Sequence, residues 1–88
     1  MPDKAVTFFD DVILRDALVP LITVYKSPLD YPGQYVARLW RILPGRAEPT
    51  PITITAETLD GLREKKPANM TIFDRAENDD PTIVESWI

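Results

Sequence analysis

The chain is 88 residues long, with a formal net charge of −4, no cysteine and no histidine. That length allows one domain at most. Without cysteine there are no disulfide staples, no thiolate catalysis and no thiolate zinc site, and without histidine the commonest general base and metal ligand are gone. Net acidity argues against direct nucleic-acid binding, which draws on a basic face to release counterions.

A hydrophobic content of 44% is that of a folded protein. Nine prolines, each with fixed φ and no backbone donor, predict short elements separated by rigid turns. The apolar run 17–25 is interrupted by Pro20 and followed by no cleavage-site pattern. It also falls well short of the roughly 20 residues a bilayer requires. We therefore expect a cytoplasmic protein with no membrane attachment.

In chain order, residues 1–20 read as an N-terminal extension. Val6, Phe9, Ile13 and Ala17 fall at helical spacing, although Asp16 breaks the apolar face and Leu14 and Leu18 fall on the polar one. A hairpin of 6–9 against 12–15 around Asp10-Asp11 competes with that helix. Residues 21–88 then read as one α+β domain. Leu21 to Lys26 is β-branched and aromatic and predicts a strand. Ser27-Pro28-Leu29-Asp30 suits a type I turn, and Tyr31-Pro32-Gly33-Gln34 a type II turn with Gly33 at the positive-φ position. Tyr35 to Leu43 is the longest predicted strand, with Tyr35, Ala37 and Leu39 on one face and Val36, Arg38, Trp40 and Ile42 on the other.

Pro44 to Pro51 holds three prolines and a glycine and predicts a loop. Ile52 to Ile54 follows as a short strand. Thr55 reads as an N-cap and Ala56 as the start of a helix that Pro67 ends. Met70 to Phe73 and Thr82 to Ile88 read as the last strands, the terminal one apolar enough to lie inside the sheet or to pair with a second chain. The expected fold is a small antiparallel sheet of four or five strands with one short helix packed on a face, and a further N-terminal helix if 1–20 folds that way.

Charge is unevenly spread. Residues 21–46 hold Lys26, Arg38, Arg41 and Arg46 against Asp30 alone. Residues 67–88 hold Asp74, Glu77, Asp79, Asp80 and Glu85 against Arg75. A basic hairpin in an acidic chain is expected to meet that acidic C-terminal third.

No constellation specifies a reaction. The pairs Asp10-Asp11 and Asp79-Asp80 suit turn chemistry better than a metal site, and Asn78-Asp79-Asp80-Pro81 has a turn composition. Three scattered glycines build no phosphate cradle. Lys26 and Ser27, adjacent on an extended chain, point to opposite faces and cannot form an activated pair. We therefore expect no enzyme activity, no catalytic residue, no metal and no cofactor. Tyr31, Tyr35, Arg38, Trp40, Arg41 and Trp87 are of the types enriched in binding hot spots and form the candidate contact surface. The alternative assigns Trp40 and Trp87 to the core and Tyr35 to cross-strand packing.

The segments Ser27 to Gly33, Tyr35 to Trp40, Thr58 to Arg63 and Asp79 to Ile88 resemble a family of short bacterial proteins of unassigned activity, some of them from phage or mobile-element contexts. In this chain the shared pattern reads SPLDYPGQYVARLW and DDPTIVESWI. The resemblance covers about residues 21–88 and implies no catalytic residue. The leading expectation is a small binding protein that acts through contacts with another protein or with a second copy of itself. The alternative is an acidic inhibitor that mimics nucleic acid through Asp74, Glu77, Asp79, Asp80 and Glu85. A carboxylate and divalent-metal enzyme is the third reading.

Overall fold

The computed structural model describes residues 3–17 and 19–88; Leu18 lies outside them. Among the described residues the elements run β1 (Lys4–Ala5), α1 (Asp11–Asp16), β2 (Pro20–Lys26), β3 (Tyr35–Leu43), β4 (Arg46–Ala56), α2 (Leu59–Arg63), β5 (Ile72–Asp74) and β6 (Ile83–Trp87). They build one α+β domain around a six-stranded sheet of order β1-β4-β3-β2-β6-β5. Every neighbouring pair is antiparallel except β1 with β4, which is parallel. None of the helices is long and apolar enough to cross a membrane.

The β2–β3 hairpin forms as the sequence predicts. Tyr35 faces Lys26 and the ladder runs unbroken to Pro20 opposite Arg41. Gly33 takes φ 78° in the Tyr31–Gln34 turn, where Gln34 N–H donates to the Tyr31 carbonyl at 3.3 Å. The preceding turn is shifted by one residue, with Tyr31 N–H donating to the Pro28 carbonyl at 2.9 Å. Ser27 closes the loop in the left-handed region at φ 48°. Its N–H donates to the Gln34 carbonyl and its hydroxyl accepts from Gly33 N–H, which offsets the backbone strain.

Other expectations are corrected. The 44–51 loop is a tight Pro44-Gly45 turn followed directly by the first half of β4. Leu43 faces Arg46 across it, and Gly45 sits at φ 77°. Pro49 is tolerated because only Ile52 and Thr53 of β4 have a partner on its outer side. Between Arg38–Thr53 and Trp40–Pro49 the register shifts. There the Thr50 hydroxyl donates to the Leu39 carbonyl at 2.7 Å and accepts from Ile52 N–H, restoring bonds the bulge removes. Thr55 remains in the ladder opposite Val36, so the cap of α2 passes to Thr58, which accepts from Gly61 N–H.

Residues 3–17 are part of the same domain, and the competing hairpin is absent there. Lys4 and Ala5 pair with Ile52 and Thr53. Asp10 caps α1 by accepting from Ile13 N–H at 2.9 Å, and Phe9 and Ala17 are buried. The sheet thus has one strand more than the upper count the sequence predicts, and the further N-terminal helix is present beside α2.

The core lies between the helices and one sheet face. Ile22, Val24, Ala37, Leu39, Ile54 and Trp87 meet Phe9, Ala17, Leu62 and Met70 there. The terminal strand β6 is inside the sheet, between β2 and β5, so its apolar residues find their partners within the chain.

Candidate functional site

Strand alternation places Leu21 and Tyr25 of β2, Arg38, Trp40 and Ile42 of β3 and Thr53 of β4 on the face away from the helices. The long β2–β3 loop and Asp3, just ahead of β1, converge over that face on Arg38. Arg38 Nη1 donates to Asp3 Oδ1 at 2.8 Å and Nη2 to Asp3 Oδ2 at 2.9 Å, a fork on a carboxylate. Nη1 also donates to the Thr50 carbonyl at 2.9 Å. The Tyr31 hydroxyl donates to Asp3 Oδ2 at 2.9 Å, and Asp30 stands 3.8 Å from Nη2.

The electrostatics follow from these contacts. Arg38 holds the Asp3 carboxyl below its ordinary value; burial works against this, and the Tyr31 hydroxyl adds to it. Asp3 in turn raises the Tyr31 phenol and the Arg38 guanidinium. Burial raises the Tyr25 phenol, and the neighbouring Trp40 indole opposes that rise.

Arg38 separates two open depressions. One, of about 320 Å³, is bounded by Asp3, Arg38, Pro49, Thr50 and Pro51. The other, of about 190 Å³, is bounded by Tyr25, Pro28, Asp30, Val36 and Arg38. Among the described residues two buried donors at this site make no hydrogen bond of good geometry: the Trp40 indole N–H, which neighbours the Tyr25 phenol, and the hydroxyl of Thr53, which neighbours that of Tyr31 and is fully buried opposite Arg38.

Of the residues singled out from sequence, Tyr31, Arg38 and Trp40 share this face. Tyr35 packs against the core on the other side, Trp87 is fully buried there, and alternation turns Arg41 away from Arg38. Asp3 and Tyr25 were missed. Asp3 is 35 positions from Arg38, and nothing local in the sequence joins them.

The basic hairpin does not meet the acidic C-terminal third through its charges. Among the described residues Arg38 pairs with Asp3 and Asp30, and Arg46 with Glu48. Of the C-terminal carboxylates, Glu85 is buried against Arg63 and Trp87. Asp79 accepts from Ala76 N–H, and Asp80 from the backbone and hydroxyl of Thr82. Three of the five carboxylates proposed as phosphate mimics are thus engaged locally. Among the described residues no group of three or more acidic side chains is arranged to hold a metal ion. The chain matches no family model, no curated protein and no solved structure.

Proposed function

We propose that the protein is a non-enzymatic binding module that docks a protein partner on the sheet face opposite its helices. The observation that carries this reading is the grouping of Tyr25, Tyr31 and Trp40 around an arginine held fast at both ends of its fork. Aromatic and arginine side chains of this kind, already ordered before contact, lose little conformational entropy on binding. The groups are aimed at recognition rather than reaction, since the Asp3 carboxylate is engaged by Arg38 and Tyr31 and the Asp30 carboxylate stands beside the same guanidinium.

A competing surface lies at the far edge of the sheet, where Phe73 and Ile88 are about half exposed. Affinity capture from host lysate separates the two. Wild-type protein and the Phe73→Asp variant are expected to retain the same partner, and Trp40→Ser to lose it. Loss in Phe73→Asp but not in Trp40→Ser would move the surface to the edge. No specific partner with any of them would remove the reading.

A further inference from the structure

We propose that the Arg38 pocket recognises a carboxylate carried on an extended segment of the partner, and that Asp3 fills it in the free molecule as a displaceable stand-in. This rests on the protein-binding reading above and specifies the partner's chemistry. The pocket's donors come from elements other than the one that supplies Asp3: the Arg38 fork from β3 and the Tyr31 hydroxyl from the β2–β3 loop. The Thr50 carbonyl holds Arg38 independently of Asp3, so the fork keeps its aim when the carboxylate leaves.

The occupant is lightly tied. β1 has two residues, both exposed, and is held by a short parallel ladder on β4 and by Val6 N–H donating to the Thr53 carbonyl; the chain is anchored in the core only beyond it, at Val6 and Phe9. Short parallel pairing of this kind is readily exchanged for an equivalent strand. The depressions on either side of Arg38 leave room for the residues that flank an incoming carboxylate. The buried Thr53 hydroxyl, which makes no hydrogen bond of good geometry and only neighbours the Tyr31 phenol, is a donor not fully used in the free molecule. Asp30, 3.8 Å from the guanidinium, sets the charge preference. It repels a dianion such as phosphate more than it repels a single planar carboxylate.

The test uses the full chain and a blocked peptide of sequence Asp-Lys-Ala-Val-Thr-Phe, the same residues as Asp3 to Phe8, with an Asn-for-Asp counterpart and inorganic phosphate as controls. Binding is read from the NMR signals of the Arg38 guanidinium and the Trp40 indole N–H. In the Asp3→Ala variant the Asp peptide is expected to bind saturably, about tenfold or more tighter than the Asn peptide, as loss of a charge-assisted fork requires. Wild-type protein is expected to bind it at least about tenfold more weakly, because tethered Asp3 competes at an effective concentration in the millimolar range. Adding Arg38→Lys to Asp3→Ala is expected to abolish the preference for Asp over Asn. Asp3→Asn, which keeps the shape of the arm, repeats the measurement if Asp3→Ala folds poorly. Equal binding of the Asn peptide, equal binding of phosphate, or no saturable shift in a folded Asp3 variant overturns the proposal. Peptide binding without any partner dependent on Trp40 removes the docking reading and leaves the pocket; the converse removes the pocket alone.

Discussion

Arg63, on the short helix α2, reaches across the core face to grip Glu85 of β6, whose carboxylate also accepts from the Trp87 indole at 2.7 Å. The Glu85 side chain is 1% exposed and that of Arg63 39%. Removing Arg63 would strand a buried charge, whereas removing both charges would leave a cavity that an apolar side chain can fill. We expect Arg63→Ala to cost about 2–3 kcal/mol, below the range for fully buried pairs because water reaches the arginine. Arg63→Ala with Glu85→Leu is expected to recover most of that loss. Urea unfolding of the single and double variants checks both, and additive costs would contradict the coupling.

The same contact sets the response to acid. Burial alone would raise the Glu85 carboxyl, but the hydrogen bonds from Arg63 and then Trp87 outweigh it and hold the group below its ordinary 4.5. Asp3 is held below its ordinary 3.8, chiefly by Arg38. A carboxyl whose value is lower in the folded than in the unfolded chain contributes stability that is present above the unfolded value and is lost as pH falls through the folded one. Unfolding free energy is therefore expected to stay level from neutral pH down to near 4.5 and to fall beyond it. The fall is expected to be shallower in Arg63→Ala with Asp3→Asn. A profile equally steep in that variant would remove these two carboxylates as its cause.

The two tryptophans differ in kind. Trp87 is wholly buried, and Trp40 lies half-buried on the open face. Trp87→Ala is expected to cost roughly 4 kcal/mol in urea unfolding, in the range for large core aromatics. Trp40→Ala is expected to cost about 1–2 kcal/mol, in proportion to the apolar area it covers. Similar costs would mean that Trp40 is structural and would weaken its assignment to a contact surface.

Thr53 offers a test in the opposite direction. Its hydroxyl is fully buried and makes no hydrogen bond of good geometry, with the Tyr31 phenol as a polar neighbour, and valine has nearly the same shape. Thr53→Val is expected to be neutral or stabilising, within about 1 kcal/mol, because it removes an unsatisfied polar group. The same substitution is expected to weaken the Asp-bearing peptide in the Asp3→Ala background. Thermal denaturation and peptide titration read the two effects separately, and a clear loss of stability would show that the hydroxyl already has a partner.

Gly33 and Gly45 both lie at positive φ with open space where a side chain would project. Alanine at either position meets no neighbour, so the cost is backbone strain alone, about 1–2 kcal/mol. Gly45→Ala is expected to act on the β3–β4 hairpin and to leave the β2–β3 loop signals in an NMR spectrum unmoved. Gly33→Ala is expected to do the reverse. Changes spread over both hairpins would show that the two turns are coupled.

The legible parts of this fold were those fixed by local chemistry. Tyr35 to Leu43 could be bounded from sequence because its β-branched and aromatic residues end at Pro44-Gly45, and the Gly33 turn because only glycine suits that φ. The first half of β4 was hidden by Pro49 and Pro51, which ordinarily signal a loop; their tolerance depends on which side of β4 lacks a neighbour, a tertiary fact. Thr55 and Thr58 are equally fit to cap a helix, and pairing of Thr55 with Val36 decided between them. β1, two residues long, carries no periodicity at all. The site was half legible for the same reason. Arg38 and Trp40 stood out by type, whereas Asp3 acquires its role only when β1 lies against β4.

Pro49 of β4 also bears on how the open edge of the sheet meets other strands. In the β3–β4 ladder Leu43–Arg46 closes the tight turn, so alternation directs the missing N–H of Pro49 outward, toward the unpaired margin of the sheet. A strand from another chain approaching that margin would find a gap where it needs a donor. The stretch that most obscured β4 in the sequence thus guards the sheet against uncontrolled growth into fibrils, while leaving β1 and the preceding Asp3 as the part of that margin open to exchange.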